Sequence, residues 1–208
     1  MPAPDTRSMP RALVLTVVAG LTLAACARGD RTDDVATRAT LTPQDSFFTA
    51  LASMCGQAFE GRVAEDSQAD SAFAASILVM HVRECSDSVL RVPFHVGENR
   101  SRTWVISRTA TGLRLKHDHR HADGSEDSVT QYGGDSPAMG TSTLQEFAAD
   151  AQTAALIPAA ATNVWSVELV PGSRFTYGLR REGTDRRFFV AFDLTRPVAS
   201  PPAPWGFE

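Results

Sequence analysis

Residues 113–127 read Leu-Arg-Leu-Lys-His-Asp-His-Arg-His-Ala-Asp-Gly-Ser-Glu-Asp. They hold three of the chain's five histidines, spaced two apart, and run into Asp123-Gly124. Side chains along a strand alternate between faces with period two. As a strand, the segment puts Leu113, Leu115, His117, His119 and His121 on one face and Arg114, Lys116, Asp118 and Arg120 on the other. The leucines mark the first face as inward, so an apolar inner face turns to imidazole halfway along. Asp-Gly favours a two-residue type I′ hairpin turn, in which both central residues take positive φ. Closing the chain there pairs His121 with Glu126, His119 with Ser128, His117 with Thr130 and Leu115 with Tyr132. It also sets Arg120 opposite Asp127, an opposite-charge pair.

Short alternating segments continue on both sides. Strands are expected over 57–63, 76–83, 89–96, 101–108, 112–122 and 125–133, then over 163–170, 174–181 and 186–194. Leu90, Val92, Phe94 and Val96 line one face of the third. Pro93 on its other face predicts an edge or a bulge, because proline has no N–H for a ladder. Thr42-Pro43 opens a helix, with Thr42 as N-cap, Asp45 in the first turn, and Phe47, Phe48 and Leu51 at helical spacing. Thr143 and Glu146 have the spacing of a capping box and predict a short helix over 142–152. Residues 132–139 read as a loop. The tail, 196–208, holds four of the twelve prolines and is extended, with Trp205 free to dock it on the domain.

The expected fold is mainly β. An antiparallel meander of eight to nine strands closes into a barrel or strongly bent sheet, over residues 42–195. An N-terminal helix precedes it, and one short helix comes before the last three strands. After the first helix, Gly56-Gln57-Ala58-Phe59-Glu60-Gly61 resembles the start of calycin barrels, whose first strand opens on Gly-x-Trp. Here the aromatic is Phe59 and sits one place later.

The first 25 residues read as a targeting segment. Arg7 and Arg11 precede an apolar run, Ala12 to Leu23, that is too short to span a bilayer as a helix. It ends in Leu23-Ala24-Ala25-Cys26, which resembles a bacterial lipobox. That resemblance implies cleavage before Cys26, a diacylglyceryl thioether and an N-acyl chain such as palmitate. Stable anchoring takes more than one acyl chain, which this arrangement supplies. Ala27 rather than Asp follows the cysteine, which by the same resemblance implies the periplasmic side of an outer membrane. Residues 26–41 are polar and aperiodic, a flexible tether. The formal charge is −4, and the mild acidity argues against a nucleic-acid partner.

With Cys26 committed to lipid, Cys55 and Cys85 remain in an oxidising compartment and are expected to form a disulfide. The histidine row is the leading functional feature. His117 and His119 could share a transition metal such as zinc, with His121, Glu126, His81 or His95 completing the set. Same-face residues lie about 6.5–7 Å apart, so three ligands from one strand are awkward. The competing reading is a set of hydrogen-bonded imidazoles inside the barrel. Ser128 or Thr130 beside His119 could serve as a nucleophile, but no Gly-x-Ser-x-Gly is present and no oxyanion hole is evident. The carboxylates between Asp118 and Asp127 do not keep a calcium-loop spacing. Arg91, Arg100, Arg102, Arg108 and Arg114 alternate with apolar residues and read as outer-wall residues, either an anion-binding surface or ordinary solvent-facing partners of Asp and Glu, and Trp104 and Trp165 read as core.

The expected function is therefore binding rather than catalysis. An envelope lipoprotein would hold a small ligand or a metal in a barrel interior near His117, His119, His121 and Glu126. The alternative is a structural or assembly lipoprotein that meets a protein partner through its surface, around a fully packed barrel.

Overall fold

The computed structural model describes residues 41–65, 67–68, 71–136 and 140–207. The targeting segment, Cys26 and all but the last residue of the tether lie outside them. Among the described residues, no helix is long and apolar enough to cross a membrane.

Alternation dominates the observed chain as it does the sequence. The strands are β1 (Ala58–Val63), β2 (Leu78–His81), β3 (Glu84–Cys85), β4 (Val89–Val96), β5 (Asn99–Thr109), β6 (Gly112–His119), β7 (Tyr132–Asp135), β8 (Leu144–Ala148), β9 (Asn163–Val170), β10 (Arg174–Arg181) and β11 (Arg187–Val198). They form one antiparallel sheet in the order β7-β6-β5-β4-β2-β1-β11-β10-β9-β8, with β3 beside β4. The sheet rolls into a nearly closed barrel. The eleven strands exceed the expected eight to nine because β3 and β8 carry too little pattern to be read as strands.

Inward positions fill the core. Leu90, Val92 and Phe94 of β4 face Ile106 of β5, Leu115 of β6, Val167 and Leu169 of β9, Phe175 of β10, and Val190 and Phe192 of β11, all buried. The first helix, α1 (Pro43–Ala52), is capped by Thr42, whose side chain accepts from the Asp45 N–H. It buries Phe47, Phe48 and Leu51 against one end of this core, where Arg108 lies over the Phe48 ring. Pro93 sits where β2 has left β4 and β3 has not yet begun, so the missing N–H costs no ladder bond. Cys55 and Cys85 form the expected disulfide, with Cα atoms 6.2 Å apart.

A simple meander closes first strand on last, and here that ladder is complete. β1 pairs with β11 along its length, apart from a bulge between Phe59 and Gly61. The gap in the barrel falls instead in mid-chain, between β7 and β8. The short helix α2 (Ser71–Ala75) precedes β2, and the gap is bridged by another, α3 (Ala151–Leu156). Thr153, fully buried, accepts the Gly133 N–H at 2.7 Å and donates to the Gly133 carbonyl at 2.8 Å. The Asp150 N–H reaches the same carbonyl at 2.9 Å. Lys116, the chain's single lysine, crosses from β6 to Asp150 at 2.6 Å. Gly133 and Gly134 permit this approach. Gly133 has φ +150°, and a Cβ on either glycine would strike backbone, at Leu115 or at Ala148 respectively.

Three expectations are corrected. The strand expected over 125–133 is only an isolated bridge at Glu126 followed by irregular chain, and β7 instead spans Tyr132–Asp135, within the expected loop. Residues 144–148 are a strand, not part of a helix. Gln145 and Phe147 are fully buried on one side, and the Thr141 hydroxyl takes the Thr143 and Leu144 N–H groups in a turn that imitates a capping box. The helix begins later, at Asp150, whose side chain accepts from the Thr153 N–H at 2.8 Å. The Asp123-Gly124 hairpin forms, but with a different turn. Only Gly124 takes positive φ, and His121 N–H bonds to the Ser125 carbonyl around a three-residue loop. Pairing therefore slips by one, to Arg120 with Glu126. A second irregularity at Gln131, φ +56°, then brings Tyr132 rather than Thr130 opposite His117.

The tail docks on the outer wall. Its contacts are the Trp205 N–H to the Arg100 carbonyl and Arg83 to the Phe207 carbonyl, at 3.2 and 2.8 Å. Arg91 and Arg120 flank the Phe207 ring and also hold Asp118, which is only 2% exposed although it points outward.

Candidate ligand-binding site

The inner faces of β5 and β6 change character together. Ile106 pairs with Leu115, then Trp104 with His117, then Arg102 with His119. The apolar pair lies toward α1 and the polar pair, Arg102 with His119, lies at the opposite end of the barrel. β10 repeats the gradient through Phe175, Tyr177, Leu179 and Arg181, which share one face by alternation. Between these strands lies a cavity of about 360 Å³, partly open to solvent. Trp104, Trp165, Tyr132 and Tyr177 line its deep part, and Arg102, Arg181, Arg186 and Asp127 its mouth.

The deep wall is built from stacked pairs of rings set at angles to one another. Trp104 stacks with Tyr177 at 4.5 Å and with Phe94 at 4.8 Å between centroids. His117 stacks on Tyr132 at 4.5 Å, with 11° between the planes. Its polar atoms are committed. His117 Nδ1 lies 3.1 Å from the Tyr132 carbonyl, which can only accept, so Nδ1 carries the proton. Nε2 then accepts from the Tyr177 hydroxyl at 2.8 Å. Burial holds His117 neutral, with its pKa pushed down to about 3. Burial does the same for His119, down to about 4, with the Arg102 charge adding to the effect. His119 Nε2 meets the Tyr132 hydroxyl at 3.1 Å. Burial raises the Tyr132 phenol to about 12 and Tyr177 well above its ordinary value, so both stay protonated.

The expected site residues separate. His117 and His119 line the cavity. His121 is exposed beyond the end of β6, and Glu126 is exposed and paired with Arg120 at 3.2 Å. The one-residue slip of the turn removes both from the inner face. Among the described residues, no group of three or more His, Cys, Asp or Glu side chains is placed to hold a metal ion. His117 in particular has no nitrogen free for one. Ser128 is exposed, and the Thr130 hydroxyl accepts the His119 backbone N–H at 2.8 Å.

Trp104, Trp165, Tyr177 and Arg181 enter the site unannounced by any motif. Their signal is parity. Trp104 and Arg102 follow Ile106 on β5, and Arg181 follows Leu179 on β10, each two residues farther along a face already marked as inward. Arg102 accordingly belongs to the mouth and not to the outer wall, where Arg91, Arg108 and Arg114 each face a carboxylate.

Comparison with protein-family models, with curated proteins and with solved structures gives no match to this chain.

Proposed function

We propose that this chain is a lipid-anchored envelope protein whose barrel, calycin-like in architecture, binds a small organic ligand. The observation that carries the reading is the cavity of about 360 Å³ at the open end of the barrel. It has the volume of a small-molecule site, walls of stacked rings, and a few polar groups gathered at the mouth. A protein acting only through its surface has no use for such a space, and the barrel interior is not fully packed. The histidines serve as fixed, neutral parts of the wall, because their protein partners already orient them. The resemblance of residues 23–26 to a lipobox supports the membrane anchor in this reading, with residues 26–41 as the tether to the domain.

Native mass spectrometry of the full chain, purified from its own envelope, tests the ligand reading. A retained small molecule, lost when Leu179 is replaced by Trp to fill the cavity, is the expected result. A bare chain at every preparation, together with a variant indistinguishable from the parent, would overturn it. Cys26→Ser tests the anchor separately, since the variant should leave the membrane fraction.

A further inference from the structure

We propose that the ligand is a small organic anion with a flat aromatic body, seated with its body inward on the ring wall and its anionic group at the mouth with Arg102 and Arg181. This rests on the cavity being a ligand site, and it names the chemistry that the site selects.

The deep part selects the body. Trp104 and Tyr177 form one stacked pair and His117 and Tyr132 another, and His117 stands at 70° to Tyr177, so the two pairs meet as an aromatic corner. A flat aromatic body fits such a corner by offset stacking on one ring and edge contact with the other. The same region offers no charge and no uncommitted His117 nitrogen, so an anionic group placed there would be desolvated without compensation. The charged end of the ligand must stay at the mouth.

The mouth selects the sign. Three arginines and one aspartate line it. Arg102 and Arg181 are half-buried. Among the described residues, neither these two nor Arg186 is in an ion pair. This sets them apart from the outer-wall arginines, since Arg91, Arg114, Arg120, Arg174 and Arg180 each face a carboxylate. Arg181 is also pre-oriented. Its Nε donates to Asn163 Oδ1 at 2.9 Å, which leaves the terminal nitrogens of a held, planar fork for a bidentate acceptor. Arg102 lies over the Phe73 ring at 5.3 Å, which fixes its plane in turn. A cationic ligand would find only Asp127 against these three charges.

Isothermal titration of the full chain with 2-naphthoate, 2-naphthamide and decanoate tests the proposal. The first two share an aromatic body and differ in charge, while decanoate keeps the carboxylate on a flexible chain. 2-Naphthoate should bind about tenfold more tightly than the amide, the worth of one charge-assisted hydrogen bond. It should also bind more tightly than decanoate. Arg102→Gln and Arg181→Gln, made singly and together, should weaken naphthoate several times more than the amide and so close the difference between the two. Arg181→Lys, which keeps the charge but not the fork, should recover only part of the difference. Near-ultraviolet circular dichroism identifies any variant that fails to fold, and the remaining single variant then carries the test. Equal binding of naphthoate and naphthamide overturns the anion assignment and leaves the pocket standing. Tighter binding of decanoate overturns the flat body. Heat from none of the probes overturns the pocket itself.

Discussion

Thr153→Val keeps the shape of a fully buried side chain and deletes its hydroxyl. That hydroxyl now satisfies both backbone groups of Gly133, at 2.7 and 2.8 Å. In the variant the Gly133 carbonyl retains the Asp150 N–H at 2.9 Å, but the Gly133 N–H has no remaining partner. An orphaned buried donor costs about 1–3 kcal/mol, and the lost second bond adds about 0.5–1.5 kcal/mol. Valine and threonine have similar helix propensities, so α3 itself contributes little to the difference. The expected loss is about 2–4 kcal/mol, a fall in Tm of roughly 5–15 °C for a domain of this size. Thr153→Ser keeps the hydroxyl and removes a methyl, which costs about 1 kcal/mol. Urea unfolding of the parent and both variants measures these losses, and hydrogen exchange at the Gly133 amide locates them. The amide should lose protection in the valine variant and keep it in the serine variant. A valine variant as stable as the parent, with Gly133 still protected, would show that the barrel does not depend on this bridge.

Three further outcomes follow from the same geometry. Because burial depresses the folded-state pKa of His117 to about 3, protonation favours the unfolded chain; its contribution is intact above the unfolded pKa near 6.5 and is lost as pH falls toward 3, amounting to about 2 kcal/mol at pH 5. His117→Gln should therefore flatten the fall in stability between pH 6.5 and 4, and an unchanged slope in urea midpoints against pH refutes the assignment. Reducing the Cys55–Cys85 bridge, which closes a separation of 30 residues, should cost about 3–4 kcal/mol, read as the difference between denaturation with and without reductant; equal midpoints contradict it. Phe207→Ala removes the ring flanked by Arg91 and Arg120 and should cost about 1–2 kcal/mol while raising proteolytic cleavage after residue 198; an unchanged digestion pattern speaks against a docked tail.

What the sequence could reveal depended on where each signal originates. Of the last three strands two are legible to the residue, because alternation runs unbroken between Gly-containing turns, whereas β11 continues four residues past the expected end at 194, into the expected tail, where Ala58 and Phe59 pair with Val198 and Pro197. The α1 cap is legible for the same local reason, since Thr42, Pro43 and Asp45 act within one turn. β8 is not, because Thr143 and Glu146 satisfy a helical spacing by coincidence and the deciding force is burial of Gln145 and Phe147 against β9. The histidine strand shows both cases. Its inward face was readable as far as His119, but His121 depends on whether Asp123 takes positive φ, and it does not. The candidate site was half visible. Its histidines stand out by spacing, whereas Arg102 and Arg181 are ordinary residues until the barrel places them beside unpaired neighbours of the same sign. Outward-facing Asp118 is buried and held by Arg91 and Arg120, the two arginines that also flank Phe207 nearly ninety residues away, an arrangement no local pattern encodes.

The mid-chain seam is also the place where the sheet has two ends. β7 and β8 each have one side not paired to another strand, and in the closed barrel those sides face each other across Thr153 and the start of α3. Strand sides of that kind are templates for sheet extension between chains when they reach solvent. Opening the bridge would free two at once, on opposite lips of one gap, so that each molecule could both donate and receive a strand. The Thr153 hydroxyl, the Asp150 N–H and the Lys116–Asp150 pair thus cover two sheet edges as well as closing one barrel, a protection that matters more wherever many copies are crowded side by side.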